Sequence, residues 1–210
     1  MQGRTYSSPA RDADAARTRV AILDAARSLF ETEGYAATTK AAIAKRAGVS
    51  VQSVHLAGSK AALLIAAFER AFAGDEGRHS LAERPQIADI MARADTAGAI
   101  VSWLDYVASA NARTSALVRA MRVAAETDAV AAAAVDDLEN RRRTDLNLAA
   151  RWLIGRGLIA APNESIATDE LNYLVGPETF EFFVTRSGWD AASYRVWLDA
   201  MVGALTRRLG

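Results

Sequence analysis

Apolar residues recur every three to four positions through most of the chain, and no run alternates with period two long enough to make a strand. From about Asp14, residues Val20, Ile22, Leu23, Ala26, Leu29 and Phe30 form one apolar stripe, which stops at Glu33-Gly34-Tyr35 and defines a first helix. Thr38 and Thr39 are cap candidates for a second helix, with Ile43, Ala44 and Ala47 on one side and Lys40, Lys45 and Arg46 on the other. Gly48 breaks that helix, Ser50 is placed to cap a short third one, and Gly58 stops the third before Ser59-Lys60 opens a fourth carrying Leu63, Leu64, Ala67, Phe68 and Phe72. Beyond Pro85 the periodicity predicts helices over residues 87–94, 96–112, 117–124, 127–156, 163–185 and 189–209. The fold class is all-α, with no repeat of fixed length.

The stretch from Thr38 to Lys60 reads as two short helices hinged at a glycine, an apolar back and a basic front: a helix-turn-helix pattern. Val51, Gln52, Ser53 and His55 on the second of these helices are short or polar enough to meet base edges in a major groove, and Gln52 suits adenine. Thr38, Thr39, Lys40, Ser50 and Lys60 stand at or near helix N-termini, where hydroxyls, ammonium groups and free amides suit a phosphate as well as a cap. Ordinary helical hairpins with a solvated basic face share these features, so the residues alone leave both readings open.

Composition narrows the class. A chain of 210 residues that is 51% hydrophobic buries a substantial core, and without cysteine it has neither disulfides nor thiolate metal sites. No window approaches the length of an apolar membrane span and no secretory leader follows Met1, so a cytoplasmic protein away from membranes is expected. The net charge is zero, but residues 1–75 carry ten Lys/Arg against seven Asp/Glu, so the cationic excess lies with the helix-turn-helix. Residues 1–13 read as a disordered arm in which Arg4 is a further candidate for DNA contact, 14–75 as the DNA-binding head and 76–210 as a larger body. The boundary falls in the Gly-, Pro- and charge-rich segment 74–85.

Catalytic constellations are missing. His55 and His79 have no carboxylates at metal-ligand spacing, phosphate-binding glycine loops are absent, and the Asp136-Asp137-Glu139 and Arg141-Arg142-Arg143 runs read as solvated helix faces, so neither enzyme activity nor a cofactor is expected. Among the aromatic and methionine residues of the body, Met91, Trp103, Tyr106, Met121 and Trp152 read either as plain core or as the lining of a pocket between helices, whose ligand would be largely apolar because few charges interleave with them. Tyr173 and Phe180 belong to the same set.

The run ILDAARSLFETEGYAATTKAAIAKRAGVSVQSVH, followed by GSKAALL, resembles the TetR (tetracycline-repressor) family over residues 18–70. The resemblance implies an all-helical homodimer with a three-helix DNA-binding head and a body that binds an effector and forms the dimer. It implies, too, a repressor that leaves a palindromic DNA operator when a small molecule binds. The closing segment resembles the last two helices of many members, which pair across the dimer, and this puts Phe180, Trp197 and Met201 at the interface. One departure stands out: His55 replaces the usual Tyr, and the span before Ser59-Lys60 is one residue short and lacks the usual Phe. The alternative is a helical ligand-binding or interaction protein whose head no longer binds DNA.

Overall fold

The computed structural model describes residues 9–77 and 80–210, and every regular element among them is helical. Helix α1 (Pro9–Ala37) starts ahead of the expected Asp14, so residues 9–13 extend the first helix; residues 1–8, with Arg4, and His79 lie outside the described residues. The expected stop at Gly34 is a kink: its backbone sits at φ 79°, ψ 174°, and the chain re-enters helix for one short turn. Helices α2 (Lys40–Ala47), α3 (Val51–Ala57) and α4 (Lys60–Ala73) follow in the expected register. Each opens on a hydroxyl cap, with Thr39, Ser50 and Ser59 accepting from the backbone N–H of Ala42, Ser53 and Ala62. Gly48, left-handed at φ 68°, ends α2 and sets the turn.

The described part of the expected linker is tethered. Asp75 accepts from Arg84 at 2.7 Å, the Gly77 N–H donates to Glu69, and Ser80 donates to Asp145. A 3-10 turn (Leu81–Glu83) leads into α5 (Pro85–Ala92).

Two expected helices, 96–112 and 117–124, are one 32-residue helix, α6 (Thr96–Thr127). The polar residues at the expected break are satisfied in place: Thr114 Oγ1 donates to the Ala110 carbonyl, Asn111 Nδ2 to the Val175 carbonyl, and Arg113 to the carbonyls of Ala71 and Phe72. No Gly or Pro lies there to force a break. Asp128 then caps α7 (Ala129–Gly155).

Conversely, the single helix expected over 163–185 is broken at Gly176-Pro177, because proline has no N–H to continue the ladder. The result is α8 (Glu164–Leu174) and a short α9 (Pro177–Phe180) that runs into a π-helical stretch (Glu181–Arg186); α10 (Ala191–Leu209) closes the chain.

Two apolar clusters hold these helices. The head core joins Ile22, Phe30, Ile43, Val54 and Leu64 with Leu117, Met121 and Ala124 of α6, and the body core joins Trp103, Leu104, Ala150, Leu153, Leu171, Tyr194 and Leu198. Helix α6 enters both.

Candidate functional site

In the head, α3 turns Val54 fully inward and leaves Val51, Gln52, His55 and Leu56 exposed, with Leu56 at 80%. Ser53 is half-buried and its hydroxyl meets that of Ser50 at 2.8 Å. Beside this face, Thr39, Lys45 and Arg46 are exposed on α2, and the Lys40 ammonium lies 3.3 Å from His55 Nδ1. Polar, cationic and apolar groups thus share one solvent face, the mixture that phosphates, base edges and thymine methyl groups can meet.

Two of the predicted residues are occupied internally. Thr38 is buried and its hydroxyl donates to the Gly34 carbonyl, so it closes the kink in α1. Lys60 donates to the Tyr35 carbonyl at 2.9 Å, with its ammonium 4.1 Å from the centre of the Tyr35 ring, so its charge is turned toward α1. Leu56 shares the exposed face of α3 although its apolar type signals core; its position directly after His55 on the free side of a seven-residue helix is the sequence signal for it.

The head is tied to the body by polar contacts. Tyr35 Oη donates to Asp128 at 2.6 Å; burial, then this bond and the nearby charge, push the phenol far up, while the same bond holds the Asp128 carboxyl down. Arg27 donates to the Arg113 carbonyl, and Arg141 pairs with Glu69 at 2.7 Å.

Between α4, α5, α6 and α7 lies a cavity of about 490 Å³, and Met91, Trp103, Tyr106, Met121 and Trp152 all line it. Trp103 and Trp152 meet edge to face at 6.2 Å, and Trp152 Nε1 donates to the Met91 carbonyl. Helix α4 contributes Phe68, Glu69 and Phe72. The expectation of few charges is corrected: five carboxylates and four arginines share the lining, four of these nine because α7 turns its Glu139–Asp145 segment partly inward, and the rest from α4, α6, Arg84 and Glu178. The other two aromatics of that set are elsewhere, Tyr173 70% exposed and Phe180 in the body core.

Phe180 also leaves the expected dimer face. It is 4% exposed and packs edge-on against Tyr194 at 5.1 Å, so it has no surface left to offer a partner. Trp197 is half-buried against Phe183 at 4.5 Å, and Met201 is half-buried on α10. The exposed apolar residues at this end are Phe182, Trp189 and Val196.

A two-helix turn unit presenting a mixed polar and apolar helix beside a basic one, mounted on a helical body with an internal cavity, defines the class of helical DNA-binding proteins. Residues 22–67 match the family of bacterial regulatory proteins, tetR family. No curated protein matches the chain in sequence. The whole fold is similar to a crystal structure from Pseudomonas aeruginosa PAO1, provisionally named a transcriptional regulator, with a TM-score of 0.66 at 16% identity over 98% of this chain and 97% of that one. The head of the chain, residues 22–67, is thus that of a TetR-family DNA-binding regulator. Among the described residues no single helix is long and apolar enough to cross a membrane, and no group of three or more His, Asp or Glu side chains could hold a metal ion.

Proposed function

We propose that the protein is a ligand-responsive repressor that binds a palindromic operator as a homodimer and leaves it when a small molecule enters the body cavity. The observation that carries this reading is the position of α4: Phe68, Glu69 and Phe72 face the cavity, while Leu63, Leu64 and Ala71 of the same helix belong to the head core. A ligand that favours one placement of α4 changes the pose of the head, and it acts only to the extent that it binds that placement more tightly. Two heads on one duplex face must reach major grooves roughly 34 Å apart, so a small tilt of each suffices for release.

The dimer surface in this reading is carried by Phe182, Trp189, Val196 and Trp197, with Met201 at its side; the first three keep substantial apolar area in solvent. Val51, Gln52, His55 and Leu56 read the operator, and Thr39, Lys40, Lys45 and Arg46 position the head on phosphates.

Gel-shift titration against DNA flanking the gene is the test, using wild type, Gln52→Ala and Val196→Arg. Gln52→Ala is expected to weaken the true site by roughly ten-fold and scrambled DNA little, as the loss of a base contact does. Val196→Arg is expected to give monomers by sedimentation and to weaken the palindrome far more than a half-site. Wild type that shows no preference for any flanking fragment over scrambled DNA overturns the repressor reading.

A further inference from the structure

The charges lining the cavity are unequally matched. Arg141 pairs with Glu69 and with Asp137, Arg122 pairs with Glu181 at 2.5 Å, and Arg84 pairs with Asp75 at 2.7 Å. The fourth arginine, Arg142, is shared by two carboxylates, Glu139 at 2.8 Å and Glu178 at 3.3 Å. Each lining arginine therefore already has a carboxylate, and the carboxylates are left in surplus. Asp145 is held by neutral donors, the Ser80 hydroxyl at 2.5 Å and the Leu81 N–H at 3.2 Å, and Glu126 adds its charge near Arg122, which Glu181 already holds.

A second, independent feature lies at the same end. Asn111 is fully buried and lines the cavity; its Nδ2 donates to the Val175 carbonyl and its amide adjoins the Tyr194 hydroxyl, which is engaged with Thr179, so its Oδ1 is left without a donor. It adjoins Glu178 and Arg142 through Gly176, whose carbonyl also accepts from Asn111 and whose Cα faces both side chains. A buried acceptor without a partner costs free energy that a ligand's N–H would recover. Arg142 Nε lacks an acceptor as well, but the charge of that guanidinium is already offset twice. Burial pushes the Glu139 carboxyl above the ordinary glutamate value, Arg142 opposes this, and Glu178 and Asp136 add to it, so a further cation beside Glu139 is favoured.

We propose that the effector is a lipophilic amine: a protonated primary or secondary amine that donates to Asn111 Oδ1 and sits between Glu139 and Glu178, on an apolar body that lies against Phe68, Phe72, Trp103 and Trp152. The aromatic rings serve both parts of such a molecule, as apolar surface and as faces for the cationic end. The cavity volume is in the range of small-molecule sites and accommodates a chain of about ten carbons. This inference rests on the cavity being the ligand site.

Calorimetric titration of the full chain with n-decylamine, n-decanol and n-decanoate separates the two readings. The amine is expected to bind at least about ten-fold tighter than the alcohol, and the carboxylate weakest of the three. Glu139→Gln and Glu178→Gln, which keep shape and remove charge, are each expected to reduce amine affinity several-fold and leave the alcohol unchanged. If alcohol and amine bind equally, or decanoate binds best, the amine proposal falls while the cavity stands as a ligand site. If none of the three binds, or Trp103→Ala changes the affinity of none, the cavity reading fails and takes the proposal with it.

Discussion

Gly34→Ala isolates the cost of the bend in α1 from any change in packing. Gly34 sits at φ 79°, ψ 174°, a region open essentially to glycine alone. Holding a residue with a Cβ in such a conformation costs on the order of 1–3 kcal/mol. A methyl group added there meets no heavy atom within 4 Å, so no clash contributes. The lower entropy of the unfolded alanine chain offsets about 0.4–1 kcal/mol of the strain. The expected net loss is about 1–2 kcal/mol. Gly48 is the internal comparison: at φ 68°, ψ 29° it occupies the left-handed helical region, again with nothing within 4 Å of an added Cβ. Alanine enters that region for about 1–2 kcal/mol, which leaves a net loss of about 0.5–1 kcal/mol. Urea unfolding followed by circular dichroism reads each loss as a lowered midpoint at unchanged slope. The reasoning is refuted if Gly48→Ala proves as destabilising as Gly34→Ala, or if Gly34→Ala leaves the midpoint where it was.

Lys60→Met keeps the apolar stem and removes the ammonium that binds the Tyr35 carbonyl and ring, so a stability loss of about 1–2 kcal/mol is expected in thermal unfolding. At temperatures where the variant is folded, the salt dependence of its DNA binding should match wild type; a slope lowered by about one unit per subunit would put Lys60 on a phosphate. Glu181 is buried, which pushes its carboxyl up, but hydrogen bonds and charges from Arg122 and Arg186 outweigh burial and hold it below its ordinary value of 4.5. A depressed folded-state value means that its stabilisation is complete above pH 4.5 and disappears as pH falls through the lower, folded value. The stability gap between wild type and Glu181→Gln should therefore be widest near neutral pH and shrink as pH falls below 4.5, and a gap independent of pH would contradict the assignment.

The head was legible in sequence because its signals are local and agree. Hydroxyl caps at Thr39, Ser50 and Ser59, a glycine at position 48 and apolar residues at helical spacing act within a turn or two of where they stand. The body was less legible because its breaks and continuities are decided at a distance. Asn111 and Thr114 look like an interruption until their partners are known, and one of those, the Val175 carbonyl, comes 64 residues later. Gly176-Pro177 was a local signal that the apolar periodicity around it masked. The cavity aromatics were legible as a set, since they are too bulky for the Ala-rich helices around them. Their charged neighbours were not, because residues 139–145 read as an exposed face until α7 is placed beside α4 and the 176–178 turn. Phe180 and Lys60 share one cause of difficulty: sequence reveals the side chain, but its direction depends on the neighbouring helix.

The head core takes in Leu117, Val118, Ala120, Met121 and Ala124 from α6, and Ala131 and Leu138 from α7. A fragment ending at residue 75 therefore lacks one wall of its own interior and would present Ile22, Phe30 and Leu64 to water along the missing side. The segment that resembles TetR-family heads is thus smaller than the unit expected to melt, which is the entire chain. Grafting this head onto another body would succeed only with the first half of α7 and the second half of α6 carried along, and the intact protein should unfold in one transition seen equally by a probe at Tyr35 and by Trp103.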